Sequence, residues 1–168
     1  MNNDKLNKRD LLNNNLSNGD MLNDELKDLE ISYAGMVYPT DTDHMSHANV
    51  RYYSRAFNEA SYFMFSRAGI TREYMGKSFC GMACIEEHTY YKREINPGDQ
   101  VLIRSCFIDF TEKWLHVWNV MVNRNTSDIC AVNDQRCIHF DRTKRKSKIF
   151  PKQFFESGLK LVRKQPIK

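Results

Sequence analysis

Between Asn49 and Ala68, apolar residues recur at helical spacing. Tyr53, Ala56, Phe57, Ala60, Phe63, Met64 and Ala68 form one stripe, the mark of an amphipathic helix laid on a core. Asn49 stands just before the stripe and suits an N-cap, because its side-chain oxygen can accept a bond from an unpaired first-turn amide. Gly69 follows as a stop signal. Glu59 falls on the edge of the stripe, where a carboxylate needs a partner or a purpose.

After Gly81 the period becomes that of strands. Met82 to Ile95, Val101 to Phe110, Trp114 to Val122 and Ile129 to Phe140 read as four strands. Between them lie Asn96-Pro97-Gly98-Asp99, Thr111-Glu112-Lys113 and the stretch from Asn123 to Asp128, all rich in turn residues. Tyr33 to Pro39 predicts a first strand, and Thr71 to Gly76 a short turn of helix. Short turns imply antiparallel neighbours. One long helix and an antiparallel sheet pack as two layers, so the expected class is α+β, with the sheet wrapped around the apolar side of the helix. The pattern does not give the strand order.

The two ends differ from this middle. Residues 1–30 are rich in Asn, Asp, Lys and Leu and poor in aromatics, which predicts a flexible tail. Within it, Leu11, Leu12, Leu16, Met21, Leu22 and Leu26 allow a marginal helix against a partner. Residues 31–141 are the expected domain. Residues 142–168 read as a basic tail with a short helix opened by Pro151. At 168 residues the chain fits one domain. A net charge of +4 is too small to argue for nucleic acid, and no apolar run is long enough to cross a bilayer. The five cysteines contain no C-x-x-C pair and read as reduced core thiols of a cytoplasmic protein.

The chemistry concentrates just before the long helix, where Asp41, Asp43, His44, His47 and Asn49 crowd one turn. The positive end of the helix dipole and its unpaired amides face such a turn, a setting for a carbonyl oxygen or an anion. A carboxylate there can activate water or attack a carbonyl carbon. The same residues also fit plain turn caps, and a metal cluster is the less favoured alternative.

The stretch Asp41-Thr42-Asp43, Ser46-His47 and Asn49, then Tyr53 and Glu59-Ala60, resembles the D-x-D-x-x-G-H-x-N-N…Y…E-A signature of hot-dog thioesterases. These belong to the 4-hydroxybenzoyl-CoA thioesterase family. The Asn96-Pro97-Gly98-Asp99 turn resembles that family's turn between long strands. The resemblance implies a hot-dog fold, a curved antiparallel β-sheet around one long α-helix. It implies hydrolysis of a small or medium acyl-CoA to free acid and CoA, with no cofactor and no metal. Subunits would pair through their sheets as a homodimer or a tetramer of dimers, with sites between them and no nucleic-acid or membrane partner. The chain departs from the signature at Ser46, where the family has Gly, and at Val50, where it has a second Asn. Glu87-His88-x-x-Tyr91 with Glu94, and Glu112-Lys113-x-Leu115-His116, resemble the betainyl-CoA thioesterases of carnitine breakdown.

By this resemblance Asp43 is the catalytic carboxylate, and His47 orients its loop or donates to the thioester carbonyl. Asn49, Tyr53, Glu59, Glu87 and His88 are the expected substrate contacts. Each also has a structural reading: Asn49 as a cap, Tyr53 as core, Glu59 paired with Arg55, and Glu87 and His88 on opposite faces of a strand. Arg142, Lys144 and Arg145 begin a basic run that would suit the phosphates of CoA or simply be solvated. Two other functions remain open: a hot-dog dehydratase acting on 3-hydroxyacyl thioesters, and a non-catalytic acyl-CoA or acyl-carrier binding module.

Overall fold

The computed structural model describes residues 26–166. The elements in order are β1 (Glu30–Met36), α1 (Val50–Arg67), α2 (Arg72–Ser78), β2 (Cys80–Tyr91), β3 (Gln100–Phe110), β4 (Trp114–Asn123), β5 (Ile129–Asp141), β6 (Lys146–Ser147) and α3 (Lys152–Leu159). All strand pairs are antiparallel, in the order β1-β3-β4-β5-β2, with β6 on β5. Bulges interrupt the β1–β3, β2–β5 and β3–β4 pairs and bend the sheet around α1. The α+β arrangement is the one the pattern predicts.

The strand order corrects one expectation. The Asn96–Asp99 turn does not join neighbours, because β4 and β5 stand between β2 and β3. After Tyr91 the chain instead crosses the end of the sheet. Ile95, fully buried, accepts the Ala48 amide at 2.9 Å, and the turn bonds to the end of β1 through Gly98 N to Val37 O and Val37 N to Asp99 O. That crossing brings residues 92–96 against the start of α1.

Asn49 caps α1 as expected, its Oδ1 accepting the Arg51 amide at 3.0 Å. The buried stripe is Tyr52, Tyr53, Ala56, Phe57, Ala60, Ser61, Met64 and Phe65. Phe63, expected in it, lies on the helix shoulder and is 38% exposed. The N-terminal half of the stripe packs on Val101, Ile103, Met121 and Ala131. The C-terminal half packs on Phe107, Leu115, Val117 and Phe150.

A belt of buried polar side chains crosses the helix-facing side of the sheet. Ser32 on β1 meets Ser105 at 2.6 Å, Ser105 donates to Asn119 at 2.5 Å, and Asn119 donates to Asn133 at 3.1 Å. Ser61 of α1 donates to Gln135 at 2.6 Å. Asn133 and Gln135 both donate to one oxygen of Glu87 on edge strand β2, at 2.8 and 3.2 Å. Buried polar groups persist when their bonds are made, and here they are made with one another.

Packing against the sheet continues on both sides of residues 31–141. Leu26 and Leu29 are buried on the outer face of the sheet against Cys106, Trp118 and Val120, and Arg104 donates to both their carbonyls at 3.3 Å. Residues 1–25, which carry most of the expected tail, lie outside the described residues. After β5 the chain packs back: Phe150 is buried, and Gly158 lies so close to Phe110 that a Cβ would collide with its ring. Fully buried His139 latches this segment. Its Nδ1–H donates to the Lys148 carbonyl at 3.0 Å, Tyr74 O–H donates to its Nε2 at 3.0 Å, and its ring stacks on Phe150.

Candidate active site

The loop before α1 is closed by its own backbone. Asp43 N donates to His47 O at 3.0 Å, and Ser46 N donates to Asp43 O at 3.0 Å. The turn forces Ser46 to φ 66°, a left-handed conformation that glycine adopts freely and serine only with strain. This is the position at which the resembled signature carries Gly. Asp43 is half-buried, and its Oδ1 accepts the Met45 amide at 2.8 Å.

Asp43 lines an open groove of about 800 Å³ between this loop, the start of α1 and the end of β2. Val50, the first helical residue, is on its wall, while the next two amides, of Arg51 and Tyr52, are taken by the side chain and carbonyl of the Asn49 cap. Tyr53 and Tyr91 line it with their rings edge to face at 5.0 Å. Burial pushes the Tyr53 hydroxyl up to about 12, so it stays protonated, and the Ile95 N–H that donates to its oxygen opposes part of that rise. His47 and Glu94 face each other in the same groove, Nε2 to Oε2 at 3.2 Å. Lys92 and Arg93 also line the groove.

The fold therefore brings together Asp43, His47 and Tyr53 of the residues singled out in the sequence. Asn49 opens onto a separate recess with Asp41, Arg51 and Arg55. Asp41 accepts the Tyr38 amide at 3.1 Å and pairs with Arg55 at 3.2 Å, so Arg55 is engaged away from Glu59. Glu59 is exposed on the outer side of α1 and makes no ion pair among the described residues. Glu87 lies four residues before Tyr91 on the helix-facing side, about 13 Å along the strand. His88 points to the other face, where its Nδ1 is 3.9 Å from Glu86.

Arg142, Lys144 and Arg145 follow β5 at the end where it pairs with Cys80, the start of β2. The groove is at the far end of β2, about 35 Å away along the strand. The basic side chains at the groove are Lys92 and Arg93, directly after Tyr91. Their position at a strand end was the available signal, but it carries meaning only once the crossing is known. No cluster of His, Cys, Asp or Glu able to hold a metal ion occurs among the described residues. No helix among them is long and apolar enough to cross a membrane.

Comparison with known proteins bears on the family and the fold. The family described as the thioesterase-like superfamily matches residues 37–157. No curated protein matches the sequence. Among solved structures, the hypothetical protein SAV2348 from Staphylococcus aureus, in complex with CoA, is similar at a TM-score of 0.75 and 19% identity. The match covers 83% of this chain and 90% of that one. Slr0204, a 1,4-dihydroxy-2-naphthoyl-CoA thioesterase from Synechocystis, is similar at 0.69 and 13% identity, over 78% of this chain and 96% of that one. A DHNA-CoA thioesterase from Staphylococcus aureus is similar at 0.70 and 14% identity, over 76% and 87%. At such identities the likeness is one of fold, and the fold is the hot-dog.

Proposed function

The chain belongs to the thioesterase-like superfamily and is a thioester hydrolase; from that premise we propose that it cleaves a small or medium acyl-CoA in the Asp43 groove. The observation that carries this reading is the Asp43 carboxylate beside the start of α1, in one open groove with two tyrosine rings. Asp43 takes a proton from water, whose oxygen attacks the thioester carbonyl, or its own oxygen attacks that carbon. In either course the carbonyl oxygen gains negative charge, which the Val50 amide at the start of α1 stabilises. The C–S bond then breaks and CoA leaves as thiolate, taking up the proton lost by water; when water attacks, the acid is released at once, and when Asp43 attacks, water must next open the Asp43–acyl anhydride to release it. His47, held by Glu94, donates to the carbonyl or keeps the Asp43 loop in place. Lys92 and Arg93 suit the phosphates of CoA. Free-thiol release over a panel of acyl-CoA thioesters tests the reaction, and single-turnover hydrolysis in ¹⁸O-water bears on the course, because label in the Asp43 carboxylate requires an Asp43–acyl anhydride opened by water at the Asp43 carbon.

The acyl group we favour is betainyl. Its ammonium lies two bonds from the reacting carbonyl, so the carboxylate that reads it must be in the same groove. Glu94 meets that condition and Glu87 does not. Tyr91 adds an aromatic face for the cation.

One observation favours a second reading. A histidine paired with a carboxylate, as His47 is with Glu94, is the arrangement that dehydration of a 3-hydroxyacyl thioester uses. Dehydration yields an enoyl thioester without releasing thiol, so ultraviolet absorbance and thiol titration on one substrate tell the two apart.

The protein is proposed to act as a homodimer or a tetramer of dimers. Strand β2 pairs only with β5 among the described residues, which leaves its other edge open over twelve residues to a second copy. Light scattering at micromolar concentration tests this, and a monomer argues against a site shared between subunits.

A further inference from the structure

Four of the five cysteines are buried, as core thiols should be, but Cys84 is exposed. It stands directly opposite buried Cys137 in the antiparallel β2–β5 pair. Directly opposed residues in such a pair have Cα atoms about 4.5–5.5 Å apart, inside the span of about 4.4–6.8 Å that a disulfide bridges. Both side chains line one small cleft of about 60 Å³ between α1 and the sheet, beside Ser61 and Gln135, and each thiol perturbs the titration of the other. A register shift follows Cys84 immediately, so β2 is locally free of strict pairing there. The other three cysteines are not paired with a cysteine: Cys80 faces Asp141, Cys106 faces Trp118, and Cys130 falls in a register shift of the β4–β5 pair.

We propose that Cys84 and Cys137 form a dithiol that closes to a cross-strand disulfide when the folded protein meets a peroxide. Exposed Cys84 reacts first. Its sulfur, having lost its proton, attacks one oxygen of hydrogen peroxide. The O–O bond breaks, hydroxide leaves as water, and a sulfenic acid remains on Cys84. Cys137, giving up its proton, attacks the Cys84 sulfur. The S–O bond breaks, a second water leaves, and the S–S bond forms. Two thiols lose two electrons in all, and one peroxide becomes two waters. Burial raises both thiols above the usual range, and the charge of Glu87 adds to this, so thiolate is scarce at neutral pH and closure accelerates in alkali.

The test treats the native full-length chain with hydrogen peroxide at pH 7 and pH 9 and follows intact mass and peptide linkage. The expected result is a loss of about 2 Da, a peptide joining Cys84 to Cys137, faster closure at pH 9, and reversal by dithiothreitol. Cys84→Ser abolishes the linkage and Cys106→Ser leaves it. Sulfinic or sulfonic acid on Cys84 without linkage, a bridge between two chains through Cys84, or no reaction at either pH each overturns the proposal.

Discussion

The Nε2 atom of His47 lies 3.2 Å from the Oε2 atom of Glu94, and this contact ties the loop before α1 to the segment that leaves β2. The two residues are far apart in sequence. They meet because the chain crosses the end of the sheet after Tyr91 and anchors Ile95 under the helix start. Asp43, the tyrosine pair and Glu94 share one groove for the same reason.

Glu94→Gln is expected to discriminate between two acyl groups of one shape. Betainyl-CoA carries a trimethylammonium, and 3,3-dimethylbutanoyl-CoA carries the neutral carbon isostere. A carboxylate and a ring face are together worth roughly 1–2 kcal/mol to the cation, or about tenfold or more in KM. The variant should lose that factor for betainyl-CoA alone. Equal effects on both substrates place the cation elsewhere, and a wild-type enzyme that favours straight-chain acyl-CoA removes the betainyl assignment while leaving the hydrolase.

Leu26→Ala should destabilise the domain by about 2–4 kcal/mol, because it empties a fully buried position on the outer sheet face. Urea unfolding measures this. Deleting residues 1–25 should leave turnover per site unchanged, whereas deletion through Leu29 lowers the unfolding midpoint. An unchanged midpoint in the longer deletion contradicts the packing of Leu26 on Trp118.

Ser61→Ala removes the donor to Gln135 Oε1 inside the polar belt. A buried acceptor left without its bond costs about 1–3 kcal/mol. The variant should therefore unfold at lower urea with an unchanged slope, and a neutral result shows that water or a rotated amide replaces the hydroxyl.

Much of this architecture was legible in the sequence and some was not. The helix limits, the Asn49 cap and the later strands follow from local pattern, because their periods and caps are set by nearest neighbours. Phe63 was misplaced because apolar residues also occupy helix shoulders, and Ser61 was missed because its value lies in a bond to Gln135 on β5. The separation of β2 from β3 cannot be read from Asn96-Pro97-Gly98-Asp99, since such a turn also serves a crossing. Glu94 and Lys92 owe their place in the groove to that crossing, which leaves Arg142 and its basic neighbours at the other end of β2.

His139 sets a pH dependence. Burial lowers its pKa below the usual 6.5, so the unfolded chain takes up a proton near 6.5 that the folded chain still refuses. Its contribution to stability is therefore fully present above pH 6.5 and declines as pH falls through the folded value. The urea midpoint should drop on acidification below 6.5, and His139→Phe should flatten that slope. A wild-type midpoint that holds or rises over this range contradicts the neutral, doubly bonded imidazole.

The central claim is that the half-buried carboxylate of Asp43 performs the chemistry of thioester cleavage. Asp43→Asn keeps the shape of the side chain and the bond from the Met45 amide to its oxygen, but removes the base or nucleophile. Steady-state thiol release from an acyl-CoA that the wild-type enzyme cleaves is the measurement, with circular dichroism and the unfolding midpoint as controls for folding. The expected result is a native fold and a fall in kcat of roughly 10²-fold or more. A folded Asp43→Asn protein with near wild-type turnover contradicts it.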